Sequence, residues 1–175
     1  MDFIDKLNNS EFEKVYNIME ESFPLEEYRT KENQKKLLEN EDYNIAVYRN
    51  ENNKIIGFIA YYDFKRYIHI DHFAVAKNER GKGIGRKFFK EFKKYIDKKI
   101  TLEVELPKDN TSRRRIIFYK TMGLKLYNYK YFQPPMRNGY GKTPLMIMSD
   151  IDGFTLEKFQ IVKRQIYTHV YNFFG

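Results

Sequence analysis

A chain of 175 residues with 42% hydrophobic residues is long enough to bury one core and too apolar to be disordered. It contains no Cys, which excludes disulfides, thiolate metal sites and a cysteine nucleophile. The net charge of +8 favours an anionic partner, such as a nucleic acid, a membrane surface or a phosphorylated cofactor, although a lysine-rich solvated surface gives the same total. Charges are scattered through residues 1–10, and no apolar run approaches the ~18 residues of a membrane span. We therefore expect a cytoplasmic protein without a signal peptide.

The first half of the chain combines helical and strand periodicity. Phe3–Leu7 is predicted as a short strand. Ser10 and Glu13 have the spacing of a capping box, which predicts that a helix begins at Ser10. Pro24 is predicted to open a second helical stretch that reaches Glu39. The helical spacing then ends, and three strand-like runs are predicted as strands: Tyr43–Tyr48, Ile55–Tyr62 and Tyr67–Ala76.

The second half alternates helices with strands. Helical spacing is predicted for Gly83–Asp97 and for Ser112–Met122, where Gly123 takes the position favoured for a C-terminal cap. Strands are predicted at three runs: Ile100–Leu106, Leu124–Phe132 and Pro144–Met148. Thr155–Phe173 carries an apolar stripe and is predicted as an amphipathic C-terminal helix. No repeat or linker divides the chain, so we expect one α/β domain over residues 1–175.

The segment Arg80–Gly85 joins a predicted strand to a predicted helix. Its glycines let backbone N–H groups approach an anion closely at the start of a helix, where the helix dipole favours negative charge. Arg80, Lys82 and Arg86 add cationic side chains at the same place. The pattern predicts a pyrophosphate site, and the competing interpretation is a glycine turn that only closes a strand–helix junction.

Two common nucleotide motifs do not fit this segment. A Walker A loop ends in Gly-Lys-Ser/Thr, whereas Gly85 is followed by Arg86 and Lys87. The dinucleotide fingerprint needs glycines spaced as G-x-G-x-x-G and an acidic residue beyond a second strand, whereas the spacing here is G-x-G-x-G. Both motifs are excluded.

The glycine spacing instead resembles the GNAT superfamily of acetyltransferases. Arg80, Gly83 and Gly85 match the family pattern Gln/Arg-x-x-Gly-x-Gly/Ala between a strand and a helix. His72–Val75 is similar to the fourth strand of that family. Phe118–Leu124 resembles its later Tyr-x-x-x-Gly-Phe element, with Leu in place of the final Phe. The three motifs occur in the family's order along the chain.

The resemblance implies a fold and a function. The fold class is α/β (α+β), a single-domain GNAT-type fold in which a central mixed, mostly antiparallel twisted sheet of about six to seven strands is flanked by helices. The amphipathic helix at residues 155–173 follows it. The implied function is an acetyl-CoA-dependent N-acetyltransferase, with acetyl-CoA as co-substrate and no metal. Because the chain lacks Cys, the amine must attack the thioester itself.

The resemblance also implies residue roles. A backbone N–H near Phe73, Ala74 or Val75 would bind the acetyl carbonyl oxygen. Tyr119 occupies the position of the family's proton donor to the departing thiolate. Ser112 lies where the family often has an Asn that contacts the pantetheine, with Asn110 as the alternative. The remaining candidates for cofactor binding are the loop residues: Arg80, Gly81, Lys82, Gly83, Ile84, Gly85 and Arg86.

The catalytic base is less clearly indicated. Strand alternation places His69, Asp71, Phe73 and Val75 on one face if no bulge intervenes. Asp71 is the first candidate, because family members that use a carboxylate often place it on this strand. Glu103 and Glu105, which share a face of the next strand, are the next candidates. A structural ion pair is an equally typical role for each carboxylate. His69 and His72 are further candidates, since a free imidazole titrates near neutrality, and a structural role is more typical of both.

The acceptor is a small-molecule or peptide amine, for which the family's pocket corresponds to residues 23–29 and 133–142. Glu26, Glu27 and Asp71 indicate a cationic amine. Two alternatives remain: an acyl-CoA sensor with the same fold, and a basic nucleic-acid-binding protein that would use Arg113–Arg115. The aromatic residues fall mostly on apolar stripes, so neither a nucleic acid nor a membrane is expected as a partner, and a homodimer is left open.

Overall fold

The computed structural model describes residues 1–175 and contains one seven-stranded sheet. The strands are β1 (Phe3–Lys6), β2 (Tyr43–Arg49), β3 (Ile55–Asp63), β4 (Tyr67–Val75), β5 (Lys99–Glu105), β6 (Lys125–Gln133) and β7 (Thr143–Ser149). Their order in the sheet is β1-β2-β3-β4-β5-β7-β6, and every neighbouring pair is antiparallel except β4 and β5. This confirms the expected mixed, mostly antiparallel sheet.

Five α-helices cover the two faces of the sheet. They are α1 (Phe12–Ser22), α2 (Lys31–Lys36), α3 (Ile84–Ile96), α4 (Asn110–Thr121) and α5 (Leu156–Gln165). Helices α1 and α5 pack on one face, in a core that contains Phe58, Tyr62 and Phe159. Helices α3 and α4 pack on the other face. Apolar residues at helical spacing on α3 are fully buried there, and the ring of Phe88 stacks on Tyr48 with centroids 4.7 Å apart. No helix has the length and apolar character required to cross a lipid bilayer.

Three local predictions were wrong. The capping box at Ser10 does not form: the side chain of Asn8 accepts from the Ser10 N–H at 3.1 Å, and α1 begins only at Phe12. The second helical stretch is broken, because the chain is extended before Thr30, whose side chain caps α2. The tail is helical only through Val170, and its last turn, Ile166–Val170, is a π-helix.

A β-bulge at Asp71 changes which residues of β4 share a face. Residue 70 pairs with Tyr61 of β3 and residue 72 pairs with the preceding Ala60, so Asp71 is the extra residue. Ile68, Ile70 and Phe73 consequently lie together in the core beneath α3 and α4. The expected alternation of His69, Asp71, Phe73 and Val75 on one face is therefore wrong beyond Asp71.

Strands β4 and β5 separate after a short parallel stretch. Their register runs from Tyr67 opposite Lys99 to Ile70 opposite Leu102 and goes no further. Beyond that point β5 pairs only with β7, while β4 pairs only with β3. The C-terminal halves of the two strands therefore diverge and leave a gap in the middle of the sheet.

Candidate active site

The gap between β4 and β5 is the opening of a cleft of about 680 Å³. Its walls are the C-terminal halves of the two strands, the turn that follows β4, and α4. The far end is bordered by Phe23 and Glu27, by Gln133 at the end of β6, and by Met136 from the β6–β7 connection. Clefts at such a break in a sheet are usual binding places, because strand ends and helix ends meet there.

The edge of β4 presents two free backbone N–H groups to this cleft. The N–H of Ala76 donates to the carbonyl of Ile56 on β3 at 2.9 Å. Since the direction alternates along an antiparallel strand, the N–H of Ala74 also faces β3, and those of Phe73 and Val75 face the cleft. Ala74 was thus wrong as a donor to the ligand, and two of the three predicted N–H groups remain.

The glycine loop lies at the mouth of the cleft. Gly81 and Gly83 have φ of +76° and +77°, a left-handed conformation that other residues rarely adopt. Apart from the adjacent residues of the chain, no protein atom lies within 4 Å of a Cβ built on either of them, so the space above the loop is open. Gly83 is also the N-cap of α3, where no side chain caps the helix. The first N–H groups of a helix of 13 residues therefore remain available for an anion.

The cationic side chains of the loop already have partners in the protein. Arg80 donates through Nε to the carbonyl of Val75 at 2.9 Å and through Nη2 to Oγ of Ser22 at 2.7 Å, which fastens the loop to the end of β4. The Lys82 Nζ atom is 2.9 Å from Oε2 of Glu79. Arg86 donates to Oγ1 of Thr121 at 3.2 Å. These cations add positive potential near the loop, while the free hydrogen-bond donors of the loop are its backbone N–H groups.

Tyr119 projects from α4 into the opposite wall of the cleft. Its ring packs against Phe89 and Phe118, with centroids 5.5 and 5.2 Å away, and its hydroxyl forms no hydrogen bond within the protein. Burial raises the pKa of Tyr119 to about 12, so the hydroxyl keeps its proton at neutral pH. Tyr119 is therefore an available donor in the cleft.

Ser112 has a structural role instead of the predicted ligand contact. Its N–H donates to Oδ1 of Asp109 at 2.7 Å, and the N–H of Asp109 donates to Oγ of Ser112 at 3.1 Å. The two residues form a capping box at the start of α4. Ser112 is buried and does not line the cleft, so its observed contacts are those of a helix cap.

Asp71 lines the cleft but is held in a buried ion pair. Its Oδ2 atom lies 2.7 Å from Nη1 of Arg29 and 3.3 Å from Nδ1 of His72, and its side chain is only 1% exposed. Burial alone would raise the pKa of Asp71, but the Arg29 guanidinium keeps that pKa well below its usual range. His72 in turn binds the carbonyl of Glu27 through Nε2 at 2.8 Å. A carboxylate in this position is a poor proton acceptor.

Glu103 provides the contrasting carboxylate. It lies on β5 beyond the point where β4 diverges, and it lines the cleft. Its Oε1 accepts a hydrogen bond from the hydroxyl of Tyr131 on β6, and its Oε2 accepts one from the hydroxyl of Tyr171 at 2.5 Å. Burial raises the pKa of Glu103 to about 7, against the opposite effect of the two hydroxyls. Glu103 can therefore gain and lose a proton at neutral pH.

Two further carboxylates lie at the far end of the cleft. Burial, and then the neighbouring carboxylate of Glu105, raise the pKa of Glu27. Arg115 of α4 lies on the other side of Glu105, with Nη1 3.4 Å from Oε1. The far end of the cleft is thus acidic, whereas the loop end is rich in N–H donors.

Comparison with known proteins agrees with this arrangement. The model of the acetyltransferase (GNAT) family matches residues 12–124, which is more than half of the chain. The chain belongs to the GNAT acetyltransferase family. It is accordingly an acyltransferase, and the resemblance inferred from the glycine spacing is confirmed. A search of curated protein sequences gives no significant match.

Solved structures extend the GNAT likeness over the whole chain. A GNAT-family protein from Bacteroides thetaiotaomicron gives a TM-score of 0.90 at 26% identity, with 97% of this chain and 98% of that chain covered. A spermidine N-acetyltransferase variant from Vibrio cholerae gives 0.64 at 14% identity, covering 85% and 92%. The ribosomal-protein-S18-alanine N-acetyltransferase from Escherichia coli gives 0.61 at 19% identity, covering 89% and 99%. The GNAT fold therefore includes β6, β7 and α5, which lie beyond the family match.

Three residues that contact the carboxylates of this GNAT cleft were given no individual role by the sequence reasoning. Arg29, Tyr131 and Tyr171 lie 42, 28 and 68 positions from the carboxylates that they contact. A buried Arg in a loop and two of 15 Tyr residues carry no local signal of such a role. No group of three or more His, Cys, Asp or Glu side chains is arranged to hold a metal ion.

Proposed function

We propose that this acyltransferase moves an acetyl group from acetyl-CoA directly to a primary amine, without a covalent enzyme intermediate. The observation that carries the proposal is that four features suited to acyl transfer occur together in one cleft. An anion-binding glycine loop, a free strand edge, a hydroxyl donor and a carboxylate with a pKa of about 7 all face the same space. This set matches the needs of amine acylation by a thioester.

The loop end of the cleft fits acetyl-CoA, the donor of the acetyl group. The N–H groups of Gly81, Gly83 and the first turn of α3 bind the pyrophosphate. The space above the two glycines is open, and their positive φ disfavours any residue with a side chain, so the backbone there stays accessible to an anion. The N–H groups of Phe73 and Val75 bind the acyl carbonyl oxygen and the adjoining amides. They are fixed by the sheet, so they stabilise the negative charge that develops on the oxygen without having to reorganise.

Glu103 is the general base in this proposal, in place of Asp71. An amine acceptor is an ammonium ion at neutral pH and must lose a proton before it attacks. Glu103 has a pKa near neutrality, whereas Asp71 is held ionised by Arg29 and binds a proton only weakly. Asp71 instead fixes the α1–α2 connection against β4 through Arg29.

Tyr119 is the donor to the departing sulfur. Its hydroxyl is protonated at neutral pH, faces the cleft and has no competing partner in the protein. Because a thiol has a pKa of about 8.5, the thiolate gains from a hydrogen bond as the C–S bond breaks. With no Cys in the chain, the amine itself attacks the thioester carbon.

The acidic far end supports a cationic acceptor. Glu27, Glu103 and Glu105 line that half of the cleft, and the residues of the glycine loop that line the cleft include no carboxylate. The neighbours named above act on spermidine and on a ribosomal-protein alanine, which are both amines. We propose a small-molecule or peptide amine that carries positive charge.

A panel of amines tests the proposal. The protein is incubated with acetyl-CoA and each amine in turn, and free thiol is followed with a chromogenic reagent. The panel contains polyamines, amino acids, aminoglycosides and peptides with a free N-terminus or lysine. Amine-dependent thiol release and thermal stabilisation by coenzyme A are expected. Stabilisation without release from any amine would indicate an acyl-CoA sensor, and absence of both effects would refute the proposal.

A further inference from the structure

The C-terminal segment reaches the cleft because of a local change in helix geometry. After α5, the N–H of Tyr171 donates to the carbonyl of Ile166, five residues earlier, at 3.3 Å. Such a π-helical turn contains one more residue than an α-helical turn, which rotates the following chain by about 100°. Ile166, Tyr167 and Val170 are all buried as a result, and Tyr171 points at β5.

Several contacts lock this segment in place. The carbonyl of Val170 accepts from Nη2 of Arg29 at 3.0 Å. Asn172 has φ of +50°, and the N–H of the next residue, Phe173, donates to the carbonyl of Tyr167 at 2.8 Å. The ring of Phe173 packs edge-on against that of Tyr167, with centroids 5.4 Å apart. The hydroxyl of Tyr171 is thereby held 2.5 Å from Oε2 of Glu103.

We propose that Tyr171, which the segment 166–173 carries to β5, is a positioning residue that holds the Glu103 carboxylate for its role as base. The inference rests on the proposed function of Glu103. It extends the site beyond the residues matched by the family model, which end at 124.

The chemistry of the contact supports this role. Without Tyr171, Oε2 of Glu103 would lose its only hydrogen-bond donor in a buried place. Burial raises the pKa of Tyr171 well above its usual value, so its hydroxyl keeps the proton that it donates at neutral pH. A donated hydrogen bond stabilises the ionised carboxylate and so opposes the burial that raises the pKa of Glu103 to about 7. Tyr131 does the same for Oε1.

A titration of Glu103 tests the inference without an acceptor. The carboxyl ¹³C resonance of Glu103 is followed by NMR against pH in the wild type and in Tyr171→Phe. We expect the midpoint to rise by about one pH unit, because one hydrogen bond to a charged group is lost. Tyr167→Phe is the matched control, since it removes a hydroxyl that binds the carbonyl of Phe132 and not Glu103. Its midpoint should equal that of the wild type.

A second variant keeps the test independent of one substitution. Phe173→Ala retains every hydroxyl but removes the packing that fixes the tail, and it should move the midpoint in the same direction. If neither variant shifts the midpoint relative to Tyr167→Phe, the positioning role is overturned. The base assignment is tested separately with Glu103→Gln. Full activity of Glu103→Gln toward an accepted amine would remove Glu103 as the base, whatever the titration shows.

Discussion

The substitution Asp71→Asn tests whether Asp71 is a structural partner of Arg29 or the catalytic base. The two charged groups are 2.7 Å apart, and their side chains are 1% and 9% exposed. Asparagine retains the shape of the side chain but not its charge. The guanidinium of Arg29 then stays buried, with the carbonyl of Val170 as its main remaining acceptor.

The expected loss of stability is large because the remaining charge is uncompensated. Breaking a buried ion pair by removing one partner costs about 3–5 kcal/mol. That is a large part of the roughly 5–15 kcal/mol that separates folded from unfolded domains. For a chain of this size we expect the midpoint of thermal unfolding to fall by about 10 °C. The double variant Arg29→Met/Asp71→Leu should recover most of the loss, since it buries no charge.

Urea unfolding of Asp71→Asn and of a matched control measures the effect. The control is Glu13→Gln, which removes the carboxylate from an exposed pair with Lys31 at 2.9 Å and should change stability far less. The folded pKa of Asp71 is lowered, so its contribution is complete above about pH 4 and is lost as the pH falls through the folded value. The difference between wild type and Asp71→Asn must therefore shrink on acidification.

Two results would refute this reasoning. A loss no larger than that of Glu13→Gln would show that the buried pair contributes little. A variant that folds as stably as the wild type but has lost acyl transfer would return Asp71 to the role of base.

Three further predictions concern the donor site and the core. Tyr119→Phe should lower kcat by about 100-fold, because the departing sulfur loses its proton donor. Tyr95→Phe, on the exposed surface of α3, is the control and should leave kcat unchanged. Equal kcat values for the two variants would exclude Tyr119 as the proton donor. Gly83→Ala should weaken coenzyme A binding measured by calorimetry; Gly153→Ala, also at positive φ (+55°), controls for strain and should bind normally. Burial lowers the pKa of His69 to about 4, so the folded protein takes up a proton there less readily than the unfolded chain does. In urea unfolding, the free energy of unfolding of the wild type should therefore fall by about 3 kcal/mol relative to that of His69→Gln between about pH 6.5 and pH 4. A difference that stays constant over this range would contradict the prediction.

Strands and the longer helices could be predicted from sequence because each is encoded locally. The continuous apolar run at 55–62 records a strand that is buried on both faces, and the helical spacing at 84–96 records the burial of one helix face. The structure reproduces both elements within one or two residues. The predicted start of α1 was wrong because the side chain of the neighbouring Asn8, and not that of Ser10, accepts the capping hydrogen bond. The bulge at Asp71 left no pattern at all, since one extra residue in a strand is compatible with any side chain.

The sequence by itself determined where the glycine turn lies and the family to which the chain belongs. The loop could be recognised because its backbone N–H groups and the helix that follows are contiguous along the chain. Only the tertiary structure decided which carboxylate is suited to accept a proton. Asp71 and Glu103 were both plausible bases until folding placed Arg29 beside one, and Tyr131 and Tyr171 beside the other. A pKa depends on burial and on the charges and donors around a group, and here those come from segments 28 to 68 residues away.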